Sequence, residues 1–270
     1  MKYLNRMVTP LPPALWARID DTAVQAMKKV LTGRRFLDLD GPYGVGLTSV
    51  EVGVDAFCRE PAEGEAGAVL SRAKSVPMIR KSFELSIRQV EAYLTMGHPF
   101  EDSAIEEAAF AVAKREEEFI YYGQPDFDME GLLTAKNRHQ IQGGNWSQVE
   151  QALDNVLQAV TTLDDNGFRG PYALILSSSL YNNLFRRYEG TDMLQLDHLK
   201  RLCQGGVLKA PIEGAVLIDD RVGKLVLGQD LMAGYSANDG IHYHLFLSES
   251  IVPCLDEPRA ICTLGQAPSA

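Results

Sequence analysis

Between Val45 and Pro77 the chain spells out two long extended limbs with almost no apolar mass to cover them, and this limits what the whole sequence can become. Val50, Val52 and Val54 alternate with Ser49, Glu51 and Gly53. The return limb runs on to Phe83, Leu85 and Ile87, alternating with Ser82, Glu84 and Ser86, the period of two that marks a strand. The tip, Glu60 to Gly67, is acidic, small and rich in breakers. A two-stranded hairpin alone is marginal in water, so limbs this long need a surface to lie on, either the rest of this chain or another subunit.

The segment that feeds the hairpin, Gly33 to Gly44 (GRRFLDLDGPYG), is where the chain changes character. Leu37 and Leu39 alternate with Phe36, Asp38 and Asp40, which predicts an extended segment, and Gly41-Pro42-Tyr43-Gly44 predicts a turn. Upstream, Pro10-Leu11-Pro12-Pro13 cannot continue a helix but can open one. Leu15, Trp16, Ile19, Ala23, Met27, Val30 and Leu31 recur at spacings of three and four, so a helix is expected from about Ala14 to Leu31, with Gly33 as its C-cap. Such a stripe usually faces its own domain.

Downstream, a short helix is expected around Arg88 to Met96. Ser103 to Tyr122 reads as the clearest helix, opened by the capping box Ser103-Ala-Ile-Glu106. A second box, Ser147-Gln-Val-Glu150, introduces a helix carrying Val149, Leu153, Val156, Val160 and Leu163. Gly170-Pro171-Tyr172 launches a strand, Ala173 to Leu176, followed by helices around Leu180 to Tyr188 and up to Leu202. Strands at Leu225 to Leu227, Ile241 to Leu247 and Ala260 to Leu264 are expected to return and complete the first sheet.

No apolar run approaches the ~20 residues needed to cross a bilayer, and Met1 to Pro13 lacks the apolar core of a secretory signal, so a cytosolic protein without a membrane partner is expected. The four cysteines, Cys58, Cys203, Cys254 and Cys262, show no metal-ligand spacing and read as reduced thiols. A net charge of −10 opposes binding to phosphate backbones, so no nucleic-acid partner is expected.

The candidate chemistry is thin. Glu116-Glu117-Glu118 is the one carboxylate run, and consecutive helical residues point apart, so these read as solvated or interface-pairing charges. His242 and His244 share a strand face, but no third ligand is placed by spacing, so no metal site is expected. Ser177-Ser178-Ser179 lacks a nucleophile elbow and suits N-capping. Gly41-x-x-Gly44-x-Gly46 opens no helix and is not a phosphate loop. No catalytic residues are expected.

Beyond these readings, Pro10-Leu11, Trp16, Gly33-Arg34-Arg35, Asp38, Gly41-Pro42-Tyr43-Gly44, Ser75-x-Pro77, Glu116-Glu117-Glu118, Gly123, Gly131-Leu132, Gly170-Pro171-Tyr172, Gly228-Gln229-Asp230-Leu231, Gly234-Tyr235 and Ala260-Ile261-Cys262-Thr263-Leu264 together carry a resemblance to the encapsulins, bacterial shell proteins with the Hong Kong phage major-capsid-like fold. It implies an α+β fold: an N-terminal arm, helix and hinge strand over 1–44, an extended loop over 45–77, a peripheral domain over 78–133 and 222–270, and an axial domain over 134–221.

The resemblance also implies a function. Such subunits close into a hollow icosahedral homo-oligomer around a cargo enzyme, whose C-terminal targeting peptide docks against the N-terminal helix. Matched by position, that implicates Met27, Val30, Leu31, Arg34 and Asp38, while Glu189, Thr191 and Asp192 look like a pore rim. Some members stack a flavin on a tryptophan; Arg88 stands at that position here, so no cofactor is expected. The Ala260 to Leu264 ending and Gly131-Leu132-Leu133-Thr134-Ala135 are more similar to shells enclosing ferritin-like iron oxidases than to those enclosing dye-decolourising peroxidases. The rival readings are a prophage major capsid protein, which the negative charge disfavours, and a free hydrolase, which the empty motif search disfavours.

Overall fold

In the computed structural model, which describes residues 2–53, 56–57, 62–188, 190 and 192–265, prolines open the first long helix as their missing N–H allows. This helix, α1 (Pro13–Lys28), buries Leu15, Trp16, Ile19, Ala23, Ala26 and Met27. It ends before Leu31, and the amides of Val30 and Leu31 bond back to the Met27 carbonyl at 2.9 Å. Gly33 is therefore not its C-cap but the first residue of a 3-10 turn, Gly33–Arg35. The strand that follows, β1 (Asp38–Asp40), is an edge strand of three residues. The expected shared face of Leu37 and Leu39 is not formed: Leu37 lies before the strand and is buried, whereas Leu39 is 50% exposed.

The hairpin is present. β2 (Ser49–Glu51) pairs antiparallel with β5 (Ala73–Ser75), and further out β3 (Ala56–Phe57) pairs with β4 (Val69–Leu70). Val69 and Leu70 are exposed, so little of this chain covers the outer limb. The return limb becomes β6 (Met78–Ser86), with Phe83 and Leu85 buried, and Ile87 begins the next helix, α2 (Ile87–Met96).

The spine is α3 (Ser103–Tyr122), packed along α1. Its expected capping box does not form. Asp102 is the N-cap, and its carboxylate takes Arg18 (2.8 Å) and Thr22 (3.4 Å), tying α3 to α1. A small hairpin, β7 (Gly123–Gln124) and β8 (Met129–Glu130), closes the spine; Gly123 has φ 70°, and a Cβ there would strike the Met129 carbonyl.

The chain then builds a second layer: β9 (His139–Gln142), α4 (Gln151–Asp165), β10 (Tyr172–Leu176), α5 (Ser178–Asn183), α6 (Gln195–Leu202), β11 (Gly206–Lys209) and β12 (Ala215–Asp219). Glu150 is the N-cap of α4, but the expected capping box does not form: Glu150 turns at φ 83°, its side chain makes no capping bond, and its amide donates to Gln195 Oε1 (3.2 Å). The helix expected to reach Tyr188 stops at Asn183, since Arg187 and Leu194 form a bridge and Tyr188 bonds to the Met193 carbonyl at 3.2 Å.

The long strands β13 (Gly223–Asn238) and β14 (His242–Leu255) form a four-stranded sheet in the order β1-β13-β14-β6. The last strand, β15 (Ile261–Gly265), was expected in this sheet and joins the other, whose order is β11-β10-β12-β15-β9. It runs antiparallel to β12 and parallel to β9. Ile261, Cys262 and Leu264 are all buried, so both faces of the strand are apolar, and α4 packs on one of them. The C-terminal strand therefore belongs with the sheet of residues 134–221. The whole is an α+β fold.

Candidate functional site

The C-terminal end of α1, the hinge turn and β13 enclose a groove of about 450 Å³. Val24, Met27, Lys28 and Leu31 line it from α1 and the residues after it, Arg34, Arg35 and Leu39 from the hinge, and Asp230 and Leu231 from β13. Met27 and Leu231 are nearly covered (3% and 6% exposed) and form an apolar floor, while Leu39 leaves half its side chain at the mouth. Lys28, Arg35 and Asp230 are exposed and make a charged rim.

Below the groove, the acidic run of α3 has three separate fates. Glu116 and Glu117 are buried, against the expectation of solvated charges; Glu118 is half-exposed and pairs with Arg115 at 2.9 Å. Glu117 Oε1 accepts the amides of Thr32 and Gly33 (2.9 Å each), and Oε2 accepts the Thr32 hydroxyl, so a carboxylate sits at the N-terminal end of the hinge turn, where free N–H groups point outward. Burial, opposed by these hydrogen bonds, raises the Glu117 carboxyl above the ordinary range. The Thr32 hydroxyl also lies 2.5 Å from the Tyr121 hydroxyl, whose pKa burial raises first and Glu117 second. A Cβ at Gly33 would meet Ile120 Cδ1, the far end of a buried side chain that would have to shift to admit it.

Glu116 holds Arg34 in a bidentate pair, with Nε to Oε1 at 2.7 Å and Nη2 to Oε2 at 2.8 Å. Arg34 also donates to Glu249 (2.8 Å) and Asp230 (3.0 Å). Burial opposes its charge, but the Glu116 bonds and the two glutamate charges outweigh that and raise its pKa. The guanidinium is therefore committed to its own chain.

The family model described as "Encapsulating protein for peroxidase" matches residues 1–252. The type 1 encapsulin shell protein of Myxococcus xanthus is 32% identical over 98% of this chain and 97% of its own length. This chain belongs to the encapsulin shell-protein family. The type 1 encapsulin shell protein of Rhodospirillum rubrum is 30% identical over 100% of this chain and 99% of its own. Among solved structures, a virus-like particle from Pyrococcus furiosus superposes with a TM-score of 0.72 at 20% identity, over 93% of this chain and 99% of that one. The capsid of Myoviridae phage XM1 does so at 0.57 and 13%, over 85% and 90%. At these identities the likeness shows the fold, which is the Hong Kong phage capsid type expected from sequence.

As an encapsulin the chain is a structural shell protein. Of the five residues matched to cargo docking, Met27, Leu31 and Arg34 line the groove; Val30 is half-buried beside it, and Asp38 is exposed on β1 outside it. Val24, Lys28, Arg35, Leu39, Asp230 and Leu231 also line the groove and are not among the residues that the sequence singled out. The Gly228-Gln229-Asp230-Leu231 segment was a sequence signal for two of them. Glu189 and Thr191 lie outside the described residues; Asp192 is exposed and pairs with Arg187 at 2.9 Å. Arg88 is exposed on α2. His242 and His244 face Asp239, and His244 also faces Glu84 at 3.1 Å. No group of three or more His, Cys, Asp or Glu suited to a metal forms among the described residues. Ser177 caps α5 by accepting the Leu180 amide.

Proposed function

We propose that this encapsulin subunit repeats in a closed, hollow cytoplasmic shell around a cargo enzyme, and that a C-terminal peptide of that enzyme docks in the groove at the end of α1. The observation that carries the docking site is the groove itself: an apolar floor of Met27, Leu31 and Leu231, with Leu39 half-exposed at its mouth. Apolar side chains of an extended peptide would cover that leucine, and Lys28, Arg35 and Asp230 would orient it. Arg34 shapes the wall and leaves the reading of charge to Arg35 and Lys28. Val30 supports the floor from the side, and Asp38 flanks the entrance.

A ferritin-like iron oxidase is the cargo class favoured by the Ala260 to Leu264 and Gly131 to Ala135 stretches. A pore rim of Glu189, Thr191 and Asp192 repeated around a symmetry axis would draw in ferrous ions. A peroxidase is the second reading, favoured by the matching family, which is described as encapsulating a peroxidase.

The test is co-expression with a candidate cargo carrying its own C-terminal tail, followed by electron microscopy and measurement of cargo per shell. Wild type should give closed, loaded shells. Leu39→Asp, at an exposed position, should give closed shells loaded roughly 100-fold less tightly, because a carboxylate there faces an apolar ligand. Equal loading would remove the groove as the docking site, and wild-type protein that forms no shells would remove the shell reading.

A further inference from the structure

Three carboxylates converge on one cation at the base of the hinge. Arg34 binds Glu116 twice, and Glu249 and Asp230 once each, all within 3.0 Å. Water reaches Asp230, whose side chain is 60% exposed, but the side chains of Glu116 and Glu249 have no exposed surface. Both ionised, those two glutamates would leave one excess negative charge shut away beside a single guanidinium. Glu116 Oε2 and Glu249 Oε2 both accept from the same nitrogen, Arg34 Nη2, at 2.8 Å each, so the two carboxyl groups meet at one donor. Like charges held that close disfavour double ionisation, and a proton on one of them relieves the repulsion. Glu249 Oε1 is buried and meets no hydrogen-bond donor among the described residues, which a neutral carboxyl tolerates better than a carboxylate.

We propose that Glu116 and Glu249 share one proton at neutral pH, and that this proton latches the hinge to α3 and β14. With it, the two glutamates close together on Arg34. Without it they repel, and Arg34, held at the hinge, can no longer satisfy both.

Among the described residues, the charged groups that act most on Glu249 are Glu116 from α3, Arg34 from the hinge and Asp230 from β13. Its register partner on β6 is the apolar Ile79, and α1 turns Asp20 away to Arg6 and the Ala233 amide. Glu117 lies one residue beyond Glu116 and is occupied by Thr32 and Gly33. Burial first, then the charge of Glu116, pushes the Glu249 carboxyl well above the ordinary range against the pull of Arg34. Above the pH at which an unfolded glutamate ionises, the folded chain holds one proton more than the unfolded chain. Stability therefore falls as pH rises, until Glu249 itself ionises.

The test melts assembled shells of wild type and Glu249→Gln from pH 5 to pH 9 at constant ionic strength. The amide keeps an acceptor for Arg34 and supplies a permanent donor to Glu116. Wild type should lose stability with rising pH, its unfolding equilibrium shifting up to about tenfold per pH unit, and Glu249→Gln should be flatter by that one-proton slope. Equal slopes would overturn the latch. If the variant does not assemble, infrared spectra of wild-type shells decide: a protonated-carboxyl band at neutral pH that titrates away in alkali supports the shared proton, and its absence overturns it.

Discussion

Removing the Arg34 guanidinium should separate a structural cation from a cargo-reading one. Arg34 is 17% exposed at its side chain, and its bidentate partner Glu116 is fully covered, as is Glu249. Arg34→Ala would strand both glutamates, since Arg34 is the cation paired with each of them among the described residues. Breaking a buried pair from one side costs about 3–5 kcal/mol, because the remaining charge is left desolvated. For a chain of this size each kcal/mol lowers the melting temperature by about 2–4 °C, so shells of the variant should melt roughly 6–20 °C below wild type at neutral pH. The deficit should shrink in acid, where the stranded glutamates can take up protons. The assay is thermal melting at matched subunit concentration, with cargo loading measured in parallel. A variant that melts within about 2 °C of wild type yet loses cargo would refute the reasoning, since Arg34 would then be free to serve a ligand.

Gly33→Ala should cost about 1–3 kcal/mol in denaturant melts by driving a methyl into Ile120, and Ile120→Val should restore part of that loss by removing the opposing Cδ1; unchanged stability would mean that the hinge yields. Asp219 is buried and accepts from the Gly170 amide (2.8 Å) and from Arg221 Nε (2.9 Å). Burial alone would raise its carboxyl, but the Arg221 and Gly170 bonds outweigh burial and hold it below the ordinary range. Its contribution is thus present above an unfolded aspartate's pKa of about 4 and lost as pH falls through its lower folded value. Asp219→Asn should lower neutral-pH stability by about 1–3 kcal/mol and flatten the acid limb of the melting profile, and an unaltered acid limb would count against this.

The stripe of α1 was legible because a helical period writes burial directly into the sequence, and Met27 and Leu31 fall on it; their position at the groove was implied by the family resemblance and not by the period. The commitment of Arg34 was not. Its partners lie 82, 196 and 215 residues away, and no local pattern encodes such a meeting. The acidic run shows both sides at once. Helical geometry correctly sends Glu116, Glu117 and Glu118 to different neighbours, but whether a neighbour is water or a buried hinge depends on packing against distant segments. The strand character of β15 was readable from its apolar residues, but its sheet was not. A strand buried on both faces has no polar side to indicate which neighbours it takes.

The position of β15 also sets the order in which a nascent subunit can mature. The strand lies between β12 and β9, yet it is synthesised after every other strand of both sheets. While the chain is still growing, β12 and β9 each lack this neighbour, and α4 lacks part of the surface it packs on. The layer built by residues 134–221 therefore cannot close until translation has passed residue 265.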